Sequence, residues 1–336
     1  MKVAALKITP EGIFRYRTEH QLAGCDYGVV NPSGKWVEKA ADDPPDVIHV
    51  SYSGSPELLA ELCALRQLRR VPFIADCDDL FTKVPEYNQS GNSVHPASPA
   101  YRMRVAMLKT ADAVTVSTPT LAAMLKEGLG VDSTVVPNFV RAEDFDVPVR
   151  PKPGDQVRVL ITSASGGHWG DLEIIRPAVI DCAQKYPQAQ FCIFGTFPEW
   201  ALPYPNLHNI RWTPVNTYFG MLRHLNPDIG LAPLLPNDFN RCKSGIKYYE
   251  YAMAGAAGIY ADLDPYSEVR PGVTGLVVPP DPDAWRDALG RLIENAALRG
   301  IIRDNARADV LAHHIGPSAL KPVIASLCGN MAAVEG

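Results

Sequence analysis

Between Asp228 and Gly275 the chain reads DIGLAPLLPNDFNRCKSGIKYYEYAMAGAAGIYADLDPYSEVRPGVTG, and this stretch holds the residues best suited to chemistry. An apolar run at 228–234 predicts a buried strand, and a polar loop then carries Lys243, Ser244 and Gly245. A helix follows with Glu250 in its first turns; it ends near Gly255, before a second apolar strand at 258–261. That order gathers a lysine, a hydroxyl, free backbone N–H groups and a carboxylate around one helix N-terminus. Such a terminus beside a cation favours phosphate, and a carboxylate one or two turns on accepts hydrogen bonds from ribose hydroxyls. The segment reads as a pocket for a nucleoside diphosphate. Lys247 and Arg241 are further cations within reach of the same loop.

Three other loops carry candidates. Residues 163–171 (SASGGHWGD) follow an expected strand; Gly166 and Gly167 let a ligand approach the backbone, and His168 offers an imidazole to phosphate or sugar. Asp171 suits a helix cap. The run Asp76, Cys77, Asp78, Asp79 closes the apolar strand VPFIA, where carboxylates at a strand end bind acceptor hydroxyls or a metal; Asp78 and Asp79 are the better placed. In GIFRYR, Arg15 or Arg17 can meet a phosphate or an acceptor.

These residues need a scaffold that gathers loops at one edge, and the chain supplies one. Short apolar runs alternate with helical patterns, as parallel sheets with crossover helices require. In the first half strands are expected at 2–8, 47–52, 71–75, 113–116 and 133–136, with helices at 16–22, 56–68, 99–111 and 119–127. Pro56 and Pro119 fit first helical turns behind Ser55 and Thr118. The proline-rich, charged stretch 141–156 reads as a linker. The pattern then restarts, with strands expected at 157–163, 190–195, 210–213, 229–233, 258–261 and 275–278. Helices are expected at 172–186, 217–225, 245–254, 282–294 and 296–310, and a last helix at 317–328. The reading is an α/β protein with a first domain at 1–148, a second at 149–316, and a terminal helix at 317–336 returning to the first.

Composition narrows the class. At 336 residues the chain is long enough for two α/β domains, and a mean hydropathy of −0.07 with 46% hydrophobic residues describes a globular protein. No run of about 18 apolar residues suggests a membrane helix, so no stable membrane insertion is expected. MKVAALKITPEG turns polar too soon for a signal peptide. Seven cysteines, with no CxxC pair and an odd count, fit a reduced cytoplasmic setting. A net charge of −5 argues against a grip on long nucleic acid, although Arg66, Arg69, Arg70, Arg102, Arg104 and Lys109 form local basic clusters. Neither a Ser-His-Asp arrangement nor metal-ligand spacing nor a GxGxxG fingerprint appears.

The pattern Lys-Ser-x-x-Lys-Tyr-x-Glu-Tyr-x-x-x-Gly from Lys243 to Gly255, followed by a strand, Pro265-Tyr266 and Gly272-x-x-Gly275-Leu276, resembles the donor-binding half of GT-B glycosyltransferases. The match is nearest to the retaining family 4, also called glycosyl transferases group 1, of a bacterial or bacteriophage type. The resemblance implies two Rossmann-like doubly wound parallel-sheet domains facing across a cleft. It implies that Glu250 binds the donor ribose, that Lys243, Ser244, Gly245, Gly166, Gly167 and Arg15 serve the donor, and that Lys243, Asp78, Asp79 and His168 are the candidate catalytic residues. The family's motif places another Glu eight residues before Glu250; this chain has Cys242 there. Asp76-Cys77-Asp78 also matches the DXD metal motif of the GT-A fold, a reading set aside because GT-B enzymes stabilise the leaving group with protein groups. The implied activity is transfer of a sugar from a nucleotide-diphosphate sugar to an acceptor hydroxyl, with retention, without a metal and without any cofactor. The implied acceptor is a glycan, a protein or a hydroxymethylated base of phage DNA. The alternatives are a nucleotide-sugar 2-epimerase of the same fold and a non-catalytic nucleotide-sugar-binding module.

Overall fold

The computed structural model describes residues 1–33, 35–88, 95–163, 169–316 and 318–333. They divide into two compact units, Met1–Val84 with Asn92–Asn138 and Gly316–Gly336, and Pro85–Gly91 with Phe139–Ile315. Each unit holds one six-stranded sheet.

The first sheet consists of β1 (Lys2–Leu6), β2 (Asp26–Val30), β3 (Val47–Ser51), β4 (Phe73–Cys77), β5 (Ala113–Val116) and β6 (Thr134–Val135) in the order β2-β1-β3-β4-β5-β6, all parallel. Strands β3 (VIHVS) and β4 (FIADC) are buried at every position, so their polar residues His49, Ser51 and Asp76 lie inside with the apolar ones. Strand β2 (DYGVV) escapes the sequence reading because it lies at the edge with three of five residues exposed, so little apolar pattern marks it. Helices Pro56–Arg69, Pro99–Thr110 and Pro119–Leu129 each start with a proline behind a hydroxyl cap. Ser55, Ser98 and Thr118 accept from the backbone N–H of Leu58, Tyr101 and Leu121 at 3.2, 3.1 and 3.1 Å.

Where one helix was expected at 16–22, a four-residue α-turn (Glu11–Phe14) runs into a π-helical segment, Arg15–Glu19. The His20 N–H donates to the Arg15 carbonyl at 2.9 Å, the wide turn that swings Arg17 into the core. A short helix at Trp36–Asp42 was likewise not foreseen. The helix Leu320–Ala333 belongs to this unit; Leu320 and Ile324 pack in one buried cluster with Val3, Phe14, Leu22, Val47 and Ile74.

The second sheet consists of β7 (Val157–Ser163), β8 (Ala189–Gly195), β9 (Leu207–Ile210), β10 (Ile229–Ala232), β11 (Ala257–Ala261) and β12 (Leu276–Val278) in the order β12-β11-β10-β7-β8-β9, again all parallel. Its order reverses between β7 and β10, and in doubly wound sheets the ligand crevice lies outside the carboxyl ends of the strands at such a point. The stretch 141–156 lies within this unit. Phe145 is buried against Phe219 at 5.5 Å, Arg158 donates to the carbonyls of Arg150 and Pro151 at 3.2 and 2.7 Å, and Lys152 pairs with Asp228 at 2.6 Å. Among the described residues no helix is long and apolar enough to cross a membrane.

Candidate functional site

The Lys243 loop is built by its two flanking elements. Beyond β10 the chain makes a short helix, Asp238–Arg241, whose cap Asn237 accepts from the Asn240 N–H at 2.9 Å. Cys242, standing where the family pattern has glutamate, is fully buried. Lys243 places Nζ 4.6 Å from the Phe239 ring centroid, and Ser244 is half-buried beside it. Helix Ile246–Ala254 then begins at Gly245, an N-cap residue with no side chain of its own to bond the first N–H groups. Gly245 has a steric reason: a Cβ there would sit 2.5 Å from the Pro265 carbonyl oxygen.

Seven consecutive residues of that helix, Tyr248 to Ala254, are buried. Glu250 is only 1% exposed, and its Oε2 accepts from the Tyr218 hydroxyl at 2.9 Å and from Lys247 Nζ at 2.7 Å. Lys247 also donates to the Tyr218 oxygen at 3.0 Å. Burial first, then the Glu250 charge, raises the Tyr218 phenol well above its ordinary range, so it stays protonated and donates. One turn on, Tyr251 donates to the Leu231 carbonyl at 2.8 Å and lies 3.0 Å from Thr162 Oγ1. Its ring rests on Gly230, where a Cβ would come within 2.4 Å of Tyr251 Cδ2. The carboxylate, lysine and two phenols are thus fixed at the carboxyl ends of β7 and β10, at the switch point of the sheet.

Asp171 differs from expectation. It is the third residue of helix Trp169–Lys185 rather than its cap, and it is 2% exposed. Its Oδ1 accepts from the Leu235 N–H at 2.9 Å, Asn240 Nδ2 at 2.8 Å and the Tyr87 hydroxyl at 3.3 Å. A buried carboxylate therefore fastens the chain just ahead of Lys243. Gly166, Gly167 and His168 lie outside the described residues.

In the first unit the run of aspartates divides. Asp76 turns inward, 2% exposed, and takes a bidentate hold from Arg17, Nε at 2.9 Å and Nη2 at 2.7 Å, with Thr115 Oγ1 donating at 2.6 Å. Arg17 Nη1 also donates to the Val136 carbonyl at 2.6 Å and Asn138 Oδ1 at 2.9 Å. Burial raises the Asp76 carboxyl, and Arg17 overrides it to hold the group below its ordinary value. Arg17 is accordingly a core residue, not a ligand for phosphate or acceptor. Arg15 stays near the surface, 3.3 Å from Glu19.

Asp78 and Asp79 are half-buried beyond β4. Burial above all, then the charges of Asp79 and Asp76, pushes the Asp78 carboxyl up to about 7. The Asp78 and Asp79 charges also reach Tyr52, whose ring carries the Arg104 guanidinium 5.2 Å from its centroid. Among the described residues no three His, Cys, Asp or Glu side chains gather as a metal-binding group.

Known proteins bear on these two units. Residues 16–138 match the model of the glycosyl transferase 4-like domain. No curated protein matches the sequence. Solved structures align along nearly the whole chain. Sucrose-phosphate synthase from Thermosynechococcus elongatus superposes with a TM-score of 0.64 at 14% identity, covering 100% of this chain and 98% of that one. HepE of Anabaena, in complex with UDP-glucose, gives 0.65 at 15% identity, covering 99% of each chain.

The chain has the GT-B fold.

A putative UDP-N-acetylglucosamine 2-epimerase from Listeria monocytogenes is less similar, with a TM-score of 0.53 at 13% identity over 93% of this chain and 95% of that one. At such identities the likeness establishes the fold and nothing finer. The structure brings Lys243, Ser244, Gly245 and Glu250 to one end of one helix, and places Asp78, Asp79 and Arg15 in the other unit. Sequence reasoning missed Tyr218, Thr162 and Tyr87. Tyr218 meets Glu250 across 32 residues, and no local spacing announces such a pair.

Proposed function

We propose that this protein is a glycosyltransferase that moves a sugar, of the hexosyl class, from a nucleotide-diphosphate sugar to an acceptor hydroxyl. The observation that carries the reading is the buried Glu250, oriented by Lys247 and Tyr218 at the sheet's switch point, on the helix whose N-terminus at Gly245 is preceded by Lys243 and Ser244. In this reading Glu250 accepts from the ribose hydroxyls. At such burial its charge is weakly screened, so the hydroxyls that reach it are held firmly. Lys243, the Gly245 turn and the helix N–H groups face the diphosphate, where negative charge grows as the leaving group departs.

The step breaks the bond from the anomeric carbon to the diphosphate oxygen and forms one to the acceptor oxygen. The acceptor proton passes to the departing phosphate oxygen, on the same face, which gives retention. No side-chain nucleophile and no metal enters this scheme. Asp78 and Asp79 are assigned to the acceptor, with Asp78 able to exchange a proton near neutrality. A glycan or protein acceptor fits the net charge of −5 better than a modified base in DNA. The seven free thiols fit a cytoplasmic setting.

The test is a thermal-shift panel of UDP-, GDP-, ADP- and TDP-sugars against the wild type, Lys243→Ala and Glu250→Gln. One nucleotide should raise the Tm of the wild type, and both variants should lose most of that shift. Absence of a shift with every nucleotide would sink the assignment. The Asp78 carboxyl, poised near neutrality beside Asp79, also suits acid/base isomerisation of the sugar. Product analysis in the absence of acceptor separates the two, since an epimerase converts its substrate alone.

A further inference from the structure

Asp78 and Asp79 follow β4 in the first unit, and the chain soon leaves that unit, since Pro85–Gly91 belongs to the second. Leu80 and Phe81 are buried, and the Phe81 ring stacks on Tyr52 at 5.1 Å and 27°. A few residues on, a turn closed by the Asn88 N–H on the Pro85 carbonyl at 2.9 Å presents Tyr87. Its ring lies against Gly170, where a Cβ would come within 2.8 Å of Tyr87 Cγ and Cδ1. Asn237 Nδ2 and Asn240 Nδ2 each donate to the Tyr87 oxygen at 3.0 Å, and the hydroxyl donates to Asp171 Oδ1 at 3.3 Å. Burial first, then the Asp171 charge, pushes this phenol up to about 12, so it keeps its proton. The two amides lead directly to Lys243. Asn237 Oδ1 caps the short helix through the Asn240 N–H, and the carbonyl of the fully buried Asn240 accepts from the Lys243 N–H at 3.2 Å. A helix of four residues, Asp238–Arg241, makes too few bonds of its own to hold its place, so this side-chain clamp sets where Lys243 stands.

We propose that Tyr87 is a positioning residue for the diphosphate half of the donor site; the proposal rests on the donor reading above and deepens it. Tyr87 acts through Asn237 and Asn240 on Lys243 rather than on the donor itself. Removing the hydroxyl takes an acceptor from both amides and a donor from the buried Asp171, and the Lys243 loop then samples more positions. A cation already in place costs nothing to order when phosphate arrives, whereas a loose one spends part of the binding energy on its own ordering. The run of chain that starts at the carboxylates assigned to the acceptor thus ends by setting the loop assigned to the diphosphate.

The test measures by calorimetry the affinity of UDP, GDP, ADP and TDP, and of the matching nucleoside monophosphates, for the wild type, Tyr87→Phe, Tyr87→Ala and Glu250→Gln. Tyr87→Phe keeps the ring on Gly170 and deletes only the hydroxyl. It should bind the preferred diphosphate about 3- to 10-fold more weakly, the range for one hydrogen bond lost, and leave monophosphate affinity unchanged. Tyr87→Ala should show the same selective loss. Glu250→Gln, acting at the ribose, should weaken monophosphate and diphosphate alike. Wild-type diphosphate affinity in both Tyr87 variants, with Glu250→Gln impaired, overturns the positioning role and leaves the donor pocket standing. Equal loss of monophosphate and diphosphate in the Tyr87 variants also overturns it, because the damage is then to the unit as a whole. A loss in Tyr87→Ala that Tyr87→Phe fully restores assigns the effect to ring packing and overturns the hydroxyl clamp. If the wild type binds no nucleotide, the donor reading falls and the role of Tyr87 falls with it.

Discussion

Lys247 and Glu250 stand one helical turn apart and are joined by an ion pair of 2.7 Å, with the lysine side chain 24% exposed and the carboxylate 2%. Removing the lysine withdraws the cation from a buried charge, whereas changing both residues removes the charge itself. Lys247→Met should therefore cost about 1–3 kcal/mol in urea unfolding. The double variant with Glu250→Gln should cost less than the sum of the single changes. Strict additivity would mean the pair is not coupled in the folded protein.

The Arg17–Asp76 pair is deeper, 1% and 2% exposed, and ties the π-helical segment to β4 and to the chain beyond β6. Asp76→Asn should destabilise by about 3–5 kcal/mol, because Arg17 then keeps a buried charge without its counter-ion. A loss below about 1 kcal/mol in denaturant unfolding would contradict a structural role for this aspartate.

Asp78 gives a pH signature. Its folded carboxyl sits at about 7 against 3.8 for the ordinary group, so between those values the folded state holds a proton that the unfolded state has released. Stability from this group is present below about 4 and is lost as pH rises toward 7. The Tm of Asp78→Asn relative to wild type should therefore rise from pH 4 to pH 7 and then level off. A difference that stays flat across this range would show that Asp78 ionises normally.

His49, on β3, has the opposite sign. It is 1% exposed, neither ring nitrogen has a hydrogen-bond partner among the described residues, and burial lowers the imidazole to about 4. Between about 4 and 6.5 the unfolded chain binds the extra proton, so stability is lost as pH falls through that window. His49→Leu removes two unsatisfied polar atoms and this acid penalty. Its Tm should equal or exceed the wild-type value at pH 7.5, and the gain should widen at pH 5.

Gly245→Ala would drive a methyl group against the Pro265 carbonyl, 2.5 Å away. The Lys243 loop or the turn Asp264–Tyr266 must then give way, at a cost of about 1–3 kcal/mol. Nucleotide binding should weaken along with the Tm. Wild-type values for both would show that the loop yields without consequence.

The fold class was legible in local patterns along the chain. Buried parallel strands such as IGLA and AGIYA are continuous apolar runs, and Ser55-Pro56 and Thr118-Pro119 mark helix starts. These signals are local, because burial on both faces and first-turn capping act within a few residues. The order Lys243, Ser244, Gly245, Glu250 was legible for the same reason: a strand, a loop and one helix place it. The edge strand β2 and the π-turn at Arg15–Glu19 were not, since neither carries a strong period. Which of neighbouring, chemically alike residues turns inward follows from long-range packing. Arg17 rather than Arg15 turns inward because Asp76, 59 positions on, receives it. Asp76 leaves the aspartate run for the core while Asp78 stays at its edge. Asp171 becomes a fastener because Leu235 and Asn240, 64 and 69 positions on, meet it. Such pairings depend on which strands lie side by side, and that is settled by burying two whole sheets at once rather than by any spacing within the chain.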